Sequence, residues 1–65
     1  MPIVRIELFR GRTAEQKSAC AREIIAAVAR QLGAPPEATQ VIFADVDKTD
    51  WISGAASAAP PAAGK

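Results

Sequence analysis

The chain has 65 residues, with eight Lys or Arg against seven Asp or Glu, a net charge of +1, one Cys and no His. So short a chain holds one small domain at most; an internal disulfide is impossible, and metal sites built on His or paired Cys are excluded. No basic block marks a nucleic-acid or membrane surface. No apolar run nears the roughly 18 residues of a membrane span, and none forms a signal-peptide core, so the expectation is a soluble, cytosolic chain.

The first segment, "PIVRIELF" (2–9), alternates as a strand does, with Val4, Ile6 and Leu8 on one face and Ile3, Arg5, Glu7 and Phe9 on the other. "RGR" (10–12) is a turn, and "TAEQ" (13–16) fits a capping box in which the Thr13 hydroxyl accepts from the Gln16 amide while the Gln16 side chain reaches back. A helix is predicted from Ala14 to Leu32, because Ala21, Ile24, Ile25, Val28 and Leu32 fall on one stripe. Gly33 suits a left-handed helix end, and Pro35-Pro36 prevent continuation. "QVIFADV" (40–46) is a second strand, with Ile42, Ala44 and Val46 on one face and Val41 and Phe43 on the other. "DKTDWISG" (47–54) is turn-rich around one Trp-Ile pair and predicts a short hairpin or an extended segment. "GAASAAPPAAGK" closes the chain without a large apolar side chain, so the domain is drawn as residues 1–54 and residues 55–65 as a flexible Ala/Pro-rich tail.

Strand, long helix, strand is an α+β architecture, a β-α-β unit whose two strands run parallel through a right-handed crossover. The helix is expected to cover Val4, Ile6, Leu8, Ile42, Ala44 and Val46. Nothing in the chain is then left for Ile3, Phe9, Val41 and Phe43, so a second subunit is the expected lid. A chain this short without disulfide or metal also needs an oligomer for stability.

"MPIVRIELFRGRTAEQK", an amphipathic helix, "GAPPEATQVIFADV" and a short aromatic-bearing end together resemble the 4-oxalocrotonate tautomerase family of the tautomerase superfamily. The likeness runs over residues 2–54, and its most specific part is Pro2 combined with "GRT-x-EQK" (11–17) and the total length. It implies a β-α-β protomer that pairs into a four-stranded sheet in a dimer, with three dimers forming a homohexamer. It also implies that Pro2, once Met1 is removed, is the catalytic acid/base, and that Arg12, contributed by a neighbouring subunit, binds a substrate carboxylate. Trp51 falls where the family has an aromatic residue lining the site, and Phe9 is taken with it as a substrate-contacting ring. Gln40 departs from the pattern: the family has an arginine there for the far carboxylate of a dicarboxylate substrate. A related subunit that supplies the missing arginine is a further possibility, since heterohexamers occur in the superfamily.

The chemistry follows from the residue types. A secondary amine is too basic to be free at neutral pH, but burial and a nearby Arg both disfavour its cation, each pKa unit amounting to about 1.4 kcal/mol. Pro2 can then take a proton from an enol oxygen and return it to carbon while Arg12 stabilises the developing charge. The expected substrate is a small unsaturated 2-hydroxy or 2-oxo carboxylic acid, and the reaction needs no cofactor and no metal. Simpler readings stand beside this one: a chance Pro2, Arg12 as a surface turn charge, Trp51 as an interface anchor, Gln40 as a solvated strand start, and Cys20 as packing. Dehalogenase, hydratase or decarboxylase chemistry on the same proline is the alternative among enzymes, and a non-catalytic oligomeric homologue is the alternative outside them. A ribbon-helix DNA binder is disfavoured by the acidic residues in both strands and the missing second helix.

Overall fold

The backbone hydrogen bonds at each end of the helix explain its limits. In the computed structural model, which describes residues 1–54, α1 runs Ala14–Leu32. The Gln16 amide donates to the Thr13 hydroxyl at 3.0 Å, and the Thr13 amide donates to the Gln16 side chain at 2.9 Å, so the predicted capping box is formed. At the other end Gly33 takes φ 73°, a left-handed value that favours glycine, and its amide donates to the Ala29 carbonyl at 3.1 Å. Gly11, in the turn before the helix, has φ 127°, again open chiefly to glycine. The charges agree with the helix dipole, with Glu15 in the first turn and Arg30 in the last.

The strands β1 (Ile3–Phe9) and β2 (Gln40–Val46) pair in parallel, as the long helical crossover requires. Pro2 has no amide hydrogen, yet its carbonyl accepts from the Gln40 amide at 3.0 Å, and the Arg10 amide donates to Val46 at 3.2 Å. These two bonds extend the ladder beyond both ends of β1. One turn of 3-10 helix, Pro36–Ala38, leads into β2. Thr39, the one buried residue among those described, donates from its hydroxyl to the Pro35 carbonyl at 3.1 Å. The region read as a hairpin or extended segment contains instead a second 3-10 turn, Lys48–Asp50, because the Asp47 carboxylate caps it by accepting from the Thr49 amide at 3.1 Å and the Thr49 hydroxyl at 3.2 Å. The proposed tail, residues 55–65, lies outside the described residues.

The register corrects the face assigned to β2. Ile3 stands opposite Gln40, Val4 opposite Val41 and Ile6 opposite Phe43. Residues paired across a ladder share a face, so Val41 and Phe43 join Val4, Ile6 and Leu8 beneath the helix. Ile42, Ala44 and Val46 lie on the open face with Ile3, Arg5, Glu7 and Phe9. Both faces of β2 are apolar, so alternation alone does not say which is inward. Asp45 also points to the helix side and is tolerated there because Lys17 of α1 meets both its carboxylate oxygens at 2.9 Å. Leu32, predicted on the packed stripe, is 73% exposed. A 19-residue helix is about 28 Å long and a seven-residue strand about 23 Å, so the last helical turn overshoots the sheet.

No apolar side chain among the described residues is fully buried in one protomer. The open face shows Ile3 at 59% exposure, with Phe9, Ile42 and Trp51 near 40%. Each large apolar side chain gains about 1.5–3 kcal/mol on full burial, which makes this face a strong candidate for association. Among the described residues no helix is long and apolar enough to cross a membrane.

Candidate active site

The parallel ladder distributes the candidate residues between two ends of one sheet. Pro2 is half-buried at the start of β1, and its carbonyl bond to the Gln40 amide fixes those two residues side by side. Seven strand residues, about 23 Å, separate this end from the other. There the Phe9 and Trp51 rings meet with centroids 4.7 Å apart at 58°, a tilted contact that the capped Lys48–Asp50 turn delivers. The Lys48 ammonium lies 5.9 Å from the Phe9 ring centre. That cation was not picked out from the sequence, since only the 3-10 turn folds it back over β1.

Arg12 follows β1 at this second end. It lines a hollow of about 230 Å³ with Ile6, Leu8, Gln16, Lys17, Cys20 and Phe43. That hollow belongs to the helix-covered side, whereas Trp51 lines a shallower one on the open face with Arg5, Glu7, Ala44, Val46, Asp50 and Ile52. The structure therefore brings Pro2 to Gln40 and Phe9 to Trp51, and keeps Arg12 near the second pair but across the sheet. It does not bring Pro2 to Arg12 within one protomer. With Met1 attached, moreover, the Pro2 nitrogen is an amide and has no basic lone pair.

Most acids at this end are engaged. Asp45 is held by Lys17, and Glu7 contacts Arg5 at 3.4 Å. Asp47 is kept below the usual carboxylate range, first by the Thr49 amide and then by the Thr49 hydroxyl, with Arg10 adding attraction. Cys20 is exposed and outside any disulfide, on the helical wall of the Arg12 hollow.

The parallel β-α-β unit, here with Pro2 at the strand start and a cation-rich, aromatic far end, is shared with known proteins. A family profile described as "Tautomerase enzyme" matches residues 2–59. The chain belongs to the tautomerase family. A probable tautomerase of Streptococcus pneumoniae is 56% identical over 52 residues, spanning 80% of this chain and 87% of that protein. A 4-oxalocrotonate tautomerase isozyme of Methylibium petroleiphilum superposes with a TM-score of 0.74 at 40% identity, covering 82% of this chain and 86% of the other. A heterohexamer 4-oxalocrotonate tautomerase of Chloroflexus aurantiacus gives 0.76 at 35% identity, covering 83% and 87%. The 4-oxalocrotonate tautomerase resemblance and the β-α-β fold inferred from the sequence both hold, and membership supports a tautomerase-type, isomerase-like activity.

Proposed function

We propose that this tautomerase moves a proton between oxygen and carbon of a small unsaturated 2-hydroxy or 2-oxo acid, using the Pro2 amine freed by loss of Met1. The site is built where copies of the chain meet. One copy supplies Pro2 and Gln40, and another supplies Arg12, Phe9 and Trp51. The observation that carries this reading is the separation of the two groups to opposite ends of a seven-residue strand, in a protomer with no buried apolar core among its described residues. Neither end holds both a base and an anion-stabilising cation, and contact between subunits provides both.

In the proposed site the Pro2 nitrogen takes the enol proton and returns it to carbon. Arg12 holds the carboxylate and stabilises the enolate-like charge as it develops. Lys48, over the Phe9 ring, raises the positive potential around the same substrate end. Phe9 and Trp51 exclude water from the reacting carbon. Gln40 can donate a hydrogen bond to the far end of the substrate but supplies no charge, which favours monocarboxylates over dicarboxylates. The reaction requires no metal or organic cofactor. The assembly is a homo-oligomer, a hexamer built as a trimer of dimers, with residues 1–54 as the folded unit.

The hydrolytic alternative on the same proline needs a free acid to activate water. Asp45, Asp47 and Glu7 are each engaged, which leaves Asp50, on the open face beside Trp51, as the acid that reading would have to use.

Two measurements test the proposal. Intact mass of the purified protein is expected to lack Met1; retention of Met1 removes Pro2 as the base. Pro2→Ala is then expected to lower turnover of a simple enol such as phenylenolpyruvate by about 10²–10⁴-fold, the range for a positioned general base. Unchanged turnover would rule the mechanism out.

A further inference from the structure

Of the run "GRTAEQK" (11–17), the proposed mechanism uses only Arg12. Thr13 and Gln16 start α1 through the capping box, which leaves Lys17 without a role. The Lys17 amide makes the first α-helical backbone bond, donating to the Thr13 carbonyl at 3.1 Å, so the cap fixes where its side chain begins. That side chain reaches Asp45 of β2 and meets both carboxylate oxygens at 2.9 Å. Asp45 stands opposite Leu8 in the ladder and is the only acid that the two strands place beneath the helix. Leu8 and Lys17 line the same hollow as Arg12. Among the described residues the Arg12 guanidinium has no hydrogen-bond or ion-pair partner. Two cations thus border one small hollow, and the acid beside it has gone to the lysine.

We infer that Lys17 is a positioning residue for Arg12: by occupying the Asp45 carboxylate it leaves the guanidinium free to hold the carboxylate of a substrate. That role rests on the proposed hold of Arg12 on substrate. By residue type the arginine is the stronger competitor, since its planar fork matches a carboxylate at two points whereas an ammonium binds as a point charge. Lys17 prevails by placement. It is anchored in the first turn of a capped helix, and the side chains of the pair are only 23% and 32% exposed, where a lower effective dielectric strengthens their attraction. Arg12 is exposed in the turn before the helix, directly after Gly11, and pairing it would cost the ordering of a long, free side chain. Without the lysine, Asp45 would stand part-buried and unpaired, a costly state for a carboxylate. Arg12 is then the cation left in the hollow to relieve it. Captured in this way, it would be held within its own protomer and withdrawn from any substrate.

The test is to remove the lysine and then the acid. Lys17→Met, and Lys17→Met combined with Asp45→Asn, are compared with the parent on phenylenolpyruvate and on an uncharged enol of similar shape. Lys17→Met is expected to raise KM for the acid about tenfold and to leave the uncharged enol within about twofold. The combined variant is expected to return the acid to the parent's KM, because no carboxylate is left to capture Arg12. Lys17→Arg, which keeps a cation on Asp45, is expected to behave as the parent does. If Lys17 only seated the helix, Lys17→Met would harm both substrates alike and Asp45→Asn would not repair it; either result overturns the proposal. Lys17→Gln removes the same charge with a side chain that still donates to Asp45, and carries the comparison should the methionine variant not fold. A second readout needs no turnover. The Arg12 Nε–H resonance, identified by its loss in Arg12→Ala, is expected to exchange rapidly with solvent in the parent and in the combined variant, and slowly in Lys17→Met. An Arg12 already restrained in the parent, or still rapidly exchanging in Lys17→Met, overturns the proposal whatever the kinetics. Capture seen in this resonance with no selective loss on the acid would uphold the guarding of Arg12 and sink its hold on the substrate carboxylate.

Discussion

The two ends of the sheet are built from different materials. At the Pro2 end the defining contact is a backbone hydrogen bond to Gln40, and the candidate residues there, Pro2 and Gln40, are uncharged. At the Phe9 end a ring pair, Lys48 and Arg12 crowd around the close of β1. An apolar, half-buried terminus is where an amine loses basicity; a cation-rich, aromatic end is where an anion is held and water is kept out. A parallel strand pair cannot bring its two ends together, so under the proposed mechanism the division of labour is resolved between copies, and each protomer contributes half of two sites.

The largest effect that separates the ends, beyond loss of Pro2 itself, is expected from Arg12→Ala. If Arg12 holds a carboxylate, kcat/KM for acid substrates falls roughly 10²-fold, and an uncharged enol of similar shape falls far less. Parallel kinetics on the two substrate classes measure this. Equal losses would move Arg12 from substrate binding to a general role in assembly.

Local signals in the sequence read well because local physics sets them. Thr13 and Gln16 fix the helix start, Gly33 fixes its end, and the two strands followed from alternation and from a crossover too long for a hairpin. Other features depended on contacts that alternation does not contain. Ile42 and Phe43 exchanged faces because both sides of β2 are apolar, so that alternation alone does not say which is inward. Leu32 left the packed stripe because helix and strand differ in length. Lys48 joined the aromatic end only through the Asp47-capped turn, a three-residue feature with no periodicity to betray it. The candidate site residues were proposed from the family pattern, not from periodicity. Their separation to opposite ends of the sheet follows from the strand pairing.

A middle-sized effect is expected at the quieter end. Gln40→Arg adds a side-chain cation beside Pro2, whose carbonyl accepts from the residue-40 amide. A charge-assisted hydrogen bond to a second carboxylate is stronger than a neutral one, so kcat/KM for a dicarboxylate is expected to rise about tenfold over the matching monocarboxylate. No selective gain would mean that the substrate's far end points elsewhere, and the contrast between the ends would then lie in the base alone.

The smallest effect concerns how the aromatic end is held. Asp47 accepts from the Thr49 amide and hydroxyl, and these bonds lower its pKa in the folded chain from an ordinary 3.8. A depressed folded pKa means that the stabilisation is present above the unfolded value and is lost as pH falls through the folded one. Asp47→Ala removes the cap at every pH. The lone Trp51 directly follows this turn and rests on Phe9, so its fluorescence reports the local structure. The difference between parent and Asp47→Ala is expected to be constant from pH 7 to about pH 5 and to shrink once the pH drops below 3.8. Because Asp47 is fully exposed, the whole effect is small and confined to the turn. A difference that instead persists unchanged to the lowest pH would mean the carboxylate's charge contributes nothing, leaving neutral hydrogen bonding to Thr49 as the clamp that keeps Trp51 against Phe9.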